Sequence, residues 1–260
     1  MFEVQVLGPL VIRYRARILT LQPMQAVMFL ALWCTGTALT PLGVAELVWD
    51  DLDMVSVKTV HSHVRRIRGA VSQAGGAAVD LIVTTMLGGS RSAYVLADGL
   101  DVDADRFTTL VSSGLESYRH GRYEQADGQF AFAQKLWRDE PMKDAAQRPF
   151  TLQRTNRLQE TKRSATFTQQ KAAICLGRHR EAVAELYPLT QEHPGEVEGW
   201  MALAIALTRS GRVTEACDAC YQALRLFQGK GLMGPALHRL QDLQRDILSG
   251  TLPMSGALGF

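Results

Sequence analysis

The chain predicts an α+β domain followed by an all-α domain of repeated helical hairpins, and three observations carry that expectation. Apolar residues alternate at the N-terminus, a basic amphipathic helix spans Ser56 to Val71, and three related hexapeptides recur in the second half.

The opening stretch, FEVQVLGPLVIRYRARILTLQ, is apolar at Phe2, Val4 and Val6 and again at Val11, with a turn at Gly8-Pro9. That alternation predicts a small antiparallel sheet. Pro23 then opens a helix with a broad apolar face through Met24, Val27, Met28, Leu30, Ala31 and Trp33, ended by Thr35-Gly36. A second helix starts at Pro41, capped by the Thr40 hydroxyl, and runs through Leu42, Ala45, Leu47, Val48 and Trp49 into the acidic loop Asp50 to Asp53. The third helix follows, with Ser56 as its cap.

In that third helix Val60, Val64, Ile67 and Val71 share one sector at roughly 100° per residue. Lys58, Ser62, Arg65 and Gly69 point away, with Arg66 at the edge. No Asp or Glu occurs between Asp53 and Asp80, so Lys58, Arg65, Arg66 and Arg68 lack the in-helix carboxylates that a solvated basic face ordinarily carries. This arrangement points to an anionic partner. His61 and His63 lie about 200° apart on the helix and cannot close on one metal ion.

After the Gly75-Gly76 break, Leu81 to Thr85 and Tyr94 to Leu96 have strand composition, joined by a Gly88-Gly89-Ser90 turn with Arg91 near the tip. Sheet, three helices and a terminal hairpin is the order of a winged helix-turn-helix, whose third helix enters the DNA major groove while the wing reaches the backbone or minor groove.

The second half repeats GRYEQA at Gly121, GRHREA at Gly177 and GRVTEA at Gly211. Gly177 and Gly211 stand 34 residues apart, the tetratricopeptide period. Gly121 and Gly177 stand 56 apart, one period plus 22, which places an insertion around Trp137 to Pro149. Ala126, Ala133, Ala216 and Ala223 are small where paired helices must approach closely, Trp200 and Leu203 lie on the third repeat's front helix, and Pro194 closes the second. Such repeats leave a concave surface suited to protein partners.

Composition limits the alternatives. With 47% hydrophobic and 21% charged residues the chain is globular, and a net charge of only +2 means that any DNA affinity is local: residues 1–97 hold eight Lys/Arg against six Asp/Glu. The longest apolar run, Ala26 to Cys34, has nine residues, short of the roughly 20 that cross a bilayer. The four cysteines Cys34, Cys175, Cys217 and Cys220 form no disulfide framework, and a cytoplasmic location is expected. Cys217 and Cys220 form a C-x-x-C, but within a repeat helix and with no second ligand pair they read as core. Gly229-Lys230-Gly231 lacks a phosphate-loop frame, and no dinucleotide, zinc-protease or serine-hydrolase motif occurs. No enzymatic activity, catalytic residue, metal or cofactor is expected.

The motifs VLGPL at Val6 to Leu10, AELVWDD at Ala45 to Asp51 and TVHSHVRRIRGAV at Thr59 to Val71 resemble the actinobacterial antibiotic regulatory proteins, which join an OmpR-type winged helix to a bacterial transcriptional activation domain. WRDEPMKD from Trp137 and PALHRLQDLQRDIL from Pro235 resemble later landmarks of that activation domain. The resemblance divides the chain into a winged helix-turn-helix domain at 1–97, an activation domain with three tetratricopeptide-like repeats at 98–250, and a tail at 251–260. It implies DNA contacts from Lys58, Thr59, Ser62, His63, Arg65, Arg66 and Arg68, joined from the wing by Arg91, Ser92 and Tyr94. Ser62 stands where the family has a small aliphatic residue, and the wing, TTMLGGSRSAYVL, is longer than usual.

It further implies an activator of a secondary-metabolite gene cluster. Two copies would bind short direct repeats in double-stranded promoter DNA near the −35 element, self-associate there, and recruit RNA polymerase holoenzyme through its sigma factor and other subunits, with no membrane involvement. Two other functions fit the same fold. A repeat-protein adaptor with a winged helix that does not bind DNA is opposed by the unpaired basic face, and a repressor would need only DNA occupancy.

Overall fold

The structure, a computed structural model, describes residues 1–51, 55–75, 80–89, 91–229 and 234–252. The expected features at Asp53, Gly76, Ser90, Lys230-Gly231 and most of the 251–260 tail lie outside the described residues. The chain packs as two compact units: 1–109 with 133–161, and 110–132 with 162–260. The expected boundary after residue 97 is a line in sequence, whereas these units are built from packing, and 133–161 packs with the N-terminal half for reasons given below.

The first unit opens with strands β1 (Phe2–Gln5), β2 (Val11–Tyr14) and β3 (Arg17–Leu19). β1 pairs antiparallel with β2, and β2 with β3. Phe2, Val4, Ile12, Tyr14 and Leu19 are buried, as a half-covered sheet requires. Helix α1 (Pro23–Thr35) ends at Gly36, whose φ of 64° is the left-handed cap conformation, and α2 (Pro41–Val48) starts where the Thr40 hydroxyl accepts from the Gly43 N–H at 3.1 Å. Helix α3 (Val57–Gln73) follows, then the antiparallel wing strands β4 (Ile82–Leu87) and β5 (Arg91–Leu96). A two-residue strand, β6 (Asp101–Val102), then pairs in parallel with β1, giving the sheet order β3-β2-β1-β6.

Helix α4 (Asp103–Arg119) starts directly after β6. The buried Asp103 carboxylate accepts hydrogen bonds from the N–H groups of Val6 at 2.8 Å and Leu7 at 3.3 Å. The segment that follows helix α5 (Tyr123–Lys135) docks on the same turn: Arg138 N–H donates to Leu7 O at 2.8 Å, and Met142 N–H to Val6 O at 2.7 Å. The Arg138 guanidinium donates to Pro9 O at 2.9 Å, and Leu10 N–H to the Asp144 carboxylate at 2.6 Å. Two motifs 130 residues apart in sequence, VLGPL and WRDEPMKD, are thus one structural element. Backbone groups that would otherwise be unpaired at the β1–β2 turn find partners here.

The second unit is all-α: the second half of helix α6 (Pro149–Cys175), with α7 (His179–Glu192), α8 (Val197–Arg209), α9 (Val213–Gly229) and α10 (Pro235–Ser249), joins the later part of α4 and most of α5. The three hexapeptides form the same turn. Gly121, Gly177 and Gly211 have φ of 71°, 80° and 80°. After each, the Arg N–H reaches back five residues, Arg122 to Ser117 O, Arg178 to Ala173 O and Arg212 to Leu207 O, all at 2.9 Å. The same Arg carbonyl then accepts from the Ala N–H four residues on, at 3.0 Å in each repeat. The left-handed conformation costs a side-chain-bearing residue free energy that glycine does not lose. Ala126, Ala133, Ala216 and Ala223 are fully buried, and Trp200 donates from its indole to Pro194 O at 3.1 Å. The 22 extra residues of the first interval are absorbed by the docking segment and by the length of α6, 27 residues. Cys220 is buried among these helices, which pushes its thiol up to about 12, and Cys217 is half-buried beside it.

Candidate nucleic-acid interface

Helix α3 is built to present one face. Ser56 caps it, its hydroxyl oxygen accepting from the Thr59 N–H at 3.3 Å, and the Ser56 and Thr59 hydroxyls are hydrogen-bonded at 3.1 Å. Val60, Val64, Ile67 and Val71 are at most 2% exposed, so the apolar stripe is the packed side. Burying four branched aliphatic side chains stabilises the unit by about 1.5–3 kcal/mol each. Lys58, Ser62, Arg65 and Arg66 are exposed on the other side. Among the described residues none of Lys58, Arg65 and Arg66 has an ion-pair partner. The first turn holds no acidic residue, so the positive end of the helix dipole is uncompensated as well. A concentrated, unneutralised positive surface attracts polyanions.

The remaining expected contact residues are placed differently. Arg68 is half-buried and engaged by the wing: Nε and Nη2 donate to Ile82 O at 3.0 and 2.8 Å, Nη2 also donates to the Thr84 hydroxyl at 2.9 Å, and Asp80 lies 3.8 Å away. Its guanidinium holds β4 against α3, which makes it a positioning residue. His63 is half-buried against Trp49, ring centroids 5.7 Å apart, and burial, followed by the Arg66 charge, lowers its pKa. A neutral imidazole makes a hydrogen-bonding group rather than a cationic one at that position. Tyr94 is 7% exposed; its backbone exchanges two hydrogen bonds with Leu39, at 2.7 and 2.9 Å, and burial raises its phenol pKa. It belongs to the seam between the wing and the α1–α2 connection, which removes its side chain from the exposed surface. Arg91 and Ser92 are exposed at the start of β5, opposite Leu87 and Met86, and the left-handed Gly88 and Gly89 turn the hairpin.

Two exposed residues in the first half of α3 lie outside the expected set. Val57 is 47% exposed at the first turn, and His61 is exposed with its ring nearly perpendicular to that of Tyr94, centroids 6.1 Å apart. They lie eight and four positions before Arg65, so helical spacing alone places them beside the basic face. Val57 offers an apolar contact of the kind that suits a thymine methyl group.

Comparison with known proteins agrees with this architecture. The bacterial transcriptional activator domain profile matches residues 102–248. The chain is 26% identical over 250 residues to the regulatory protein DnrI of Streptomyces peucetius, covering 95% of this chain and 92% of DnrI. It is 29% identical over 210 residues to the transcriptional regulatory protein EmbR of Mycobacterium tuberculosis, covering 78% of this chain and 53% of EmbR, so it spans about half the length of that relative. The structure of Mycobacterium tuberculosis EmbR with a low-affinity phosphopeptide shares the fold, with a TM-score of 0.82 at 23% identity, over 97% of this chain and 66% of that one. With the activator-domain profile covering more than half its length, the chain belongs to the bacterial transcriptional activator domain family, among the actinobacterial antibiotic regulatory proteins.

Proposed function

We propose that the chain is a sequence-specific DNA-binding transcriptional activator of a secondary-metabolite gene cluster. The observation that carries this reading is the exposed, unneutralised cationic face of α3, Lys58, Arg65 and Arg66, directly opposite its buried valine and isoleucine stripe. In this account Arg66, Lys58 and Ser62 meet base edges, and Arg65, Arg91 and Ser92 meet phosphates and set register. His63 and Thr59 lie at the edge of the contact, and Arg68 holds the wing. Two copies bind direct repeats in the promoter and associate there, and the helical repeats contact RNA polymerase holoenzyme. The regulatory role named for DnrI and EmbR, and the activator-domain profile, support this direction.

The test is run-off transcription with RNA polymerase holoenzyme on DNA from upstream of the neighbouring genes. Activation predicts more full-length transcript when the protein is added, and loss of that increase in Arg66→Ala. A fall in transcript with DNA occupied would make it a repressor, and unchanged transcript without DNA binding would favour the adaptor.

A further inference from the structure

We infer that the first unit carries a binding site for a small, planar, hydroxylated aromatic carboxylate, in the cleft where the end of α1 meets the start of α4 and the first half of α6. Every residue of the site belongs to that one unit. The cleft has a volume of about 370 Å³, within the range of roughly 300–1,000 Å³ that small-molecule sites occupy.

Its floor is apolar: Trp33, Ala104 and Leu158 are each at most 8% exposed. The Arg154 guanidinium carbon lies 3.9 Å from the centre of the Trp33 ring, so the cation is stacked on the indole and pre-positioned. Arg157, on the next turn of α6, is exposed and has no carboxylate partner among the described residues. Two guanidiniums facing one cleft, one of them unpaired, favour an anionic group, and their planar forks suit a carboxylate.

The opposite wall has complementary chemistry. On α4 the Thr108 hydroxyl donates to Ala104 O at 2.9 Å, while Thr161, on α6 one turn past Arg157, donates to Arg157 O at 2.8 Å. With their protons committed to the helix backbone, they offer lone pairs to the cleft and accept from a donor. Asp105, also on this wall, accepts as well and repels an anion. A ligand is therefore oriented with its carboxylate toward Arg154 and Arg157 on α6, its hydroxyl toward Asp105 and Thr108 on α4, and a flat apolar body over Trp33 and Leu158. Trp33 stands near the end of α1, the helix that packs against α2 and α3, so occupancy adds contacts to the scaffold of the basic helix.

Isothermal titration of the full chain with 6-hydroxy-2-naphthoate, whose hydroxyl and carboxylate stand at opposite ends of a flat ring system, tests this inference. Saturable one-site binding is expected, weakened about tenfold or more in Arg157→Gln, and likewise about tenfold or more for the neutral 6-hydroxy-2-naphthamide, because each change removes one charge-assisted interaction. Arg157 is exposed, so its variant retains the fold; an unchanged far-ultraviolet circular dichroism spectrum checks this. Arg154→Gln is the second variant and loses binding too. Absence of binding at millimolar naphthoate, equal binding of acid and amide, or unchanged affinity in both variants overturns the inference. The readout does not involve DNA, so it stands or falls apart from the proposed activator role.

Discussion

The guanidinium of Arg68, on the third helix, donates two hydrogen bonds to the carbonyl oxygen of Ile82 on the first wing strand, at 3.0 and 2.8 Å. One side chain thereby fixes the angle between the helix that presents the cations and the hairpin that carries Arg91. In Arg68→Ala this clamp is lost, with a local cost of about 1.5–3 kcal/mol, the worth of hydrogen bonds to a charged group. Lysine restores the charge but not the planar fork, so Arg68→Lys recovers only part. Amide hydrogen exchange of β4 and β5 checks this: wing protection falls in both variants while that of α8 and α9 is unchanged.

Arg66 and His63 are electrostatically linked. Burial first, and the Arg66 charge second, hold the folded His63 pKa below its ordinary value of 6.5. Folding therefore favours the neutral ring, and the stability this contributes is complete above pH 6.5 and lost as pH falls through the lower folded value. A histidine-resolved NMR titration is expected to place the His63 midpoint below 6.5. In Arg66→Ala the midpoint rises toward 6.5 without reaching it, because burial against Trp49 persists.

Two helical glycines predict opposite responses to alanine. At Gly114, in α4, a Cβ would lie 2.7 Å from the Phe130 ring, and Phe130 is fully buried with nowhere to move. Overpacking of about 1–3 kcal/mol then outweighs the gain of about 1 kcal/mol in helix propensity. At Gly128, in α5, a Cβ meets nothing within 4 Å, so Gly128→Ala stabilises by about 0.5–1 kcal/mol. Urea titrations of the two variants are expected to move the midpoint in opposite directions.

Asp103→Ala leaves the buried N–H groups of Val6 and Leu7 without their acceptor, at about 1–3 kcal/mol for each unsatisfied donor. Asp103→Asn keeps one carbonyl oxygen there and loses less. Thermal unfolding followed by tryptophan fluorescence is expected to rank the variants wild type, Asn, Ala.

The elements legible in the sequence are those written in a local period or a local turn. The stripe Val60, Val64, Ile67 and Val71 is a 3.6-residue repeat, and the Gly-Arg hexapeptides encode a left-handed turn in each repeat. What remained hidden depends on partners far along the chain. β6 is two residues long and takes its identity from pairing with Glu3 and Val4. The docking of Arg138 and Met142 on Val6 and Leu7 uses backbone groups, which no residue pattern reports. Arg68 looked free because its partner is a strand carbonyl rather than a carboxylate, and Tyr94 looked exposed because its burial comes from the bridge to Leu39.

The central claim, that α3 reads DNA through its exposed cations, is tested most directly by fluorescence anisotropy of the protein with the duplex from upstream of its neighbouring genes. A scrambled duplex and a salt series separate specific from phosphate-driven affinity, which is steeply salt-dependent. The account predicts preference for the native duplex that survives moderate salt, and a loss of about 1–3 kcal/mol in Arg66→Ala with relaxed sequence preference. Arg91→Ala is expected to weaken both duplexes alike. Unchanged binding of the native duplex by Arg66→Ala would contradict the assignment of α3 as the recognition helix.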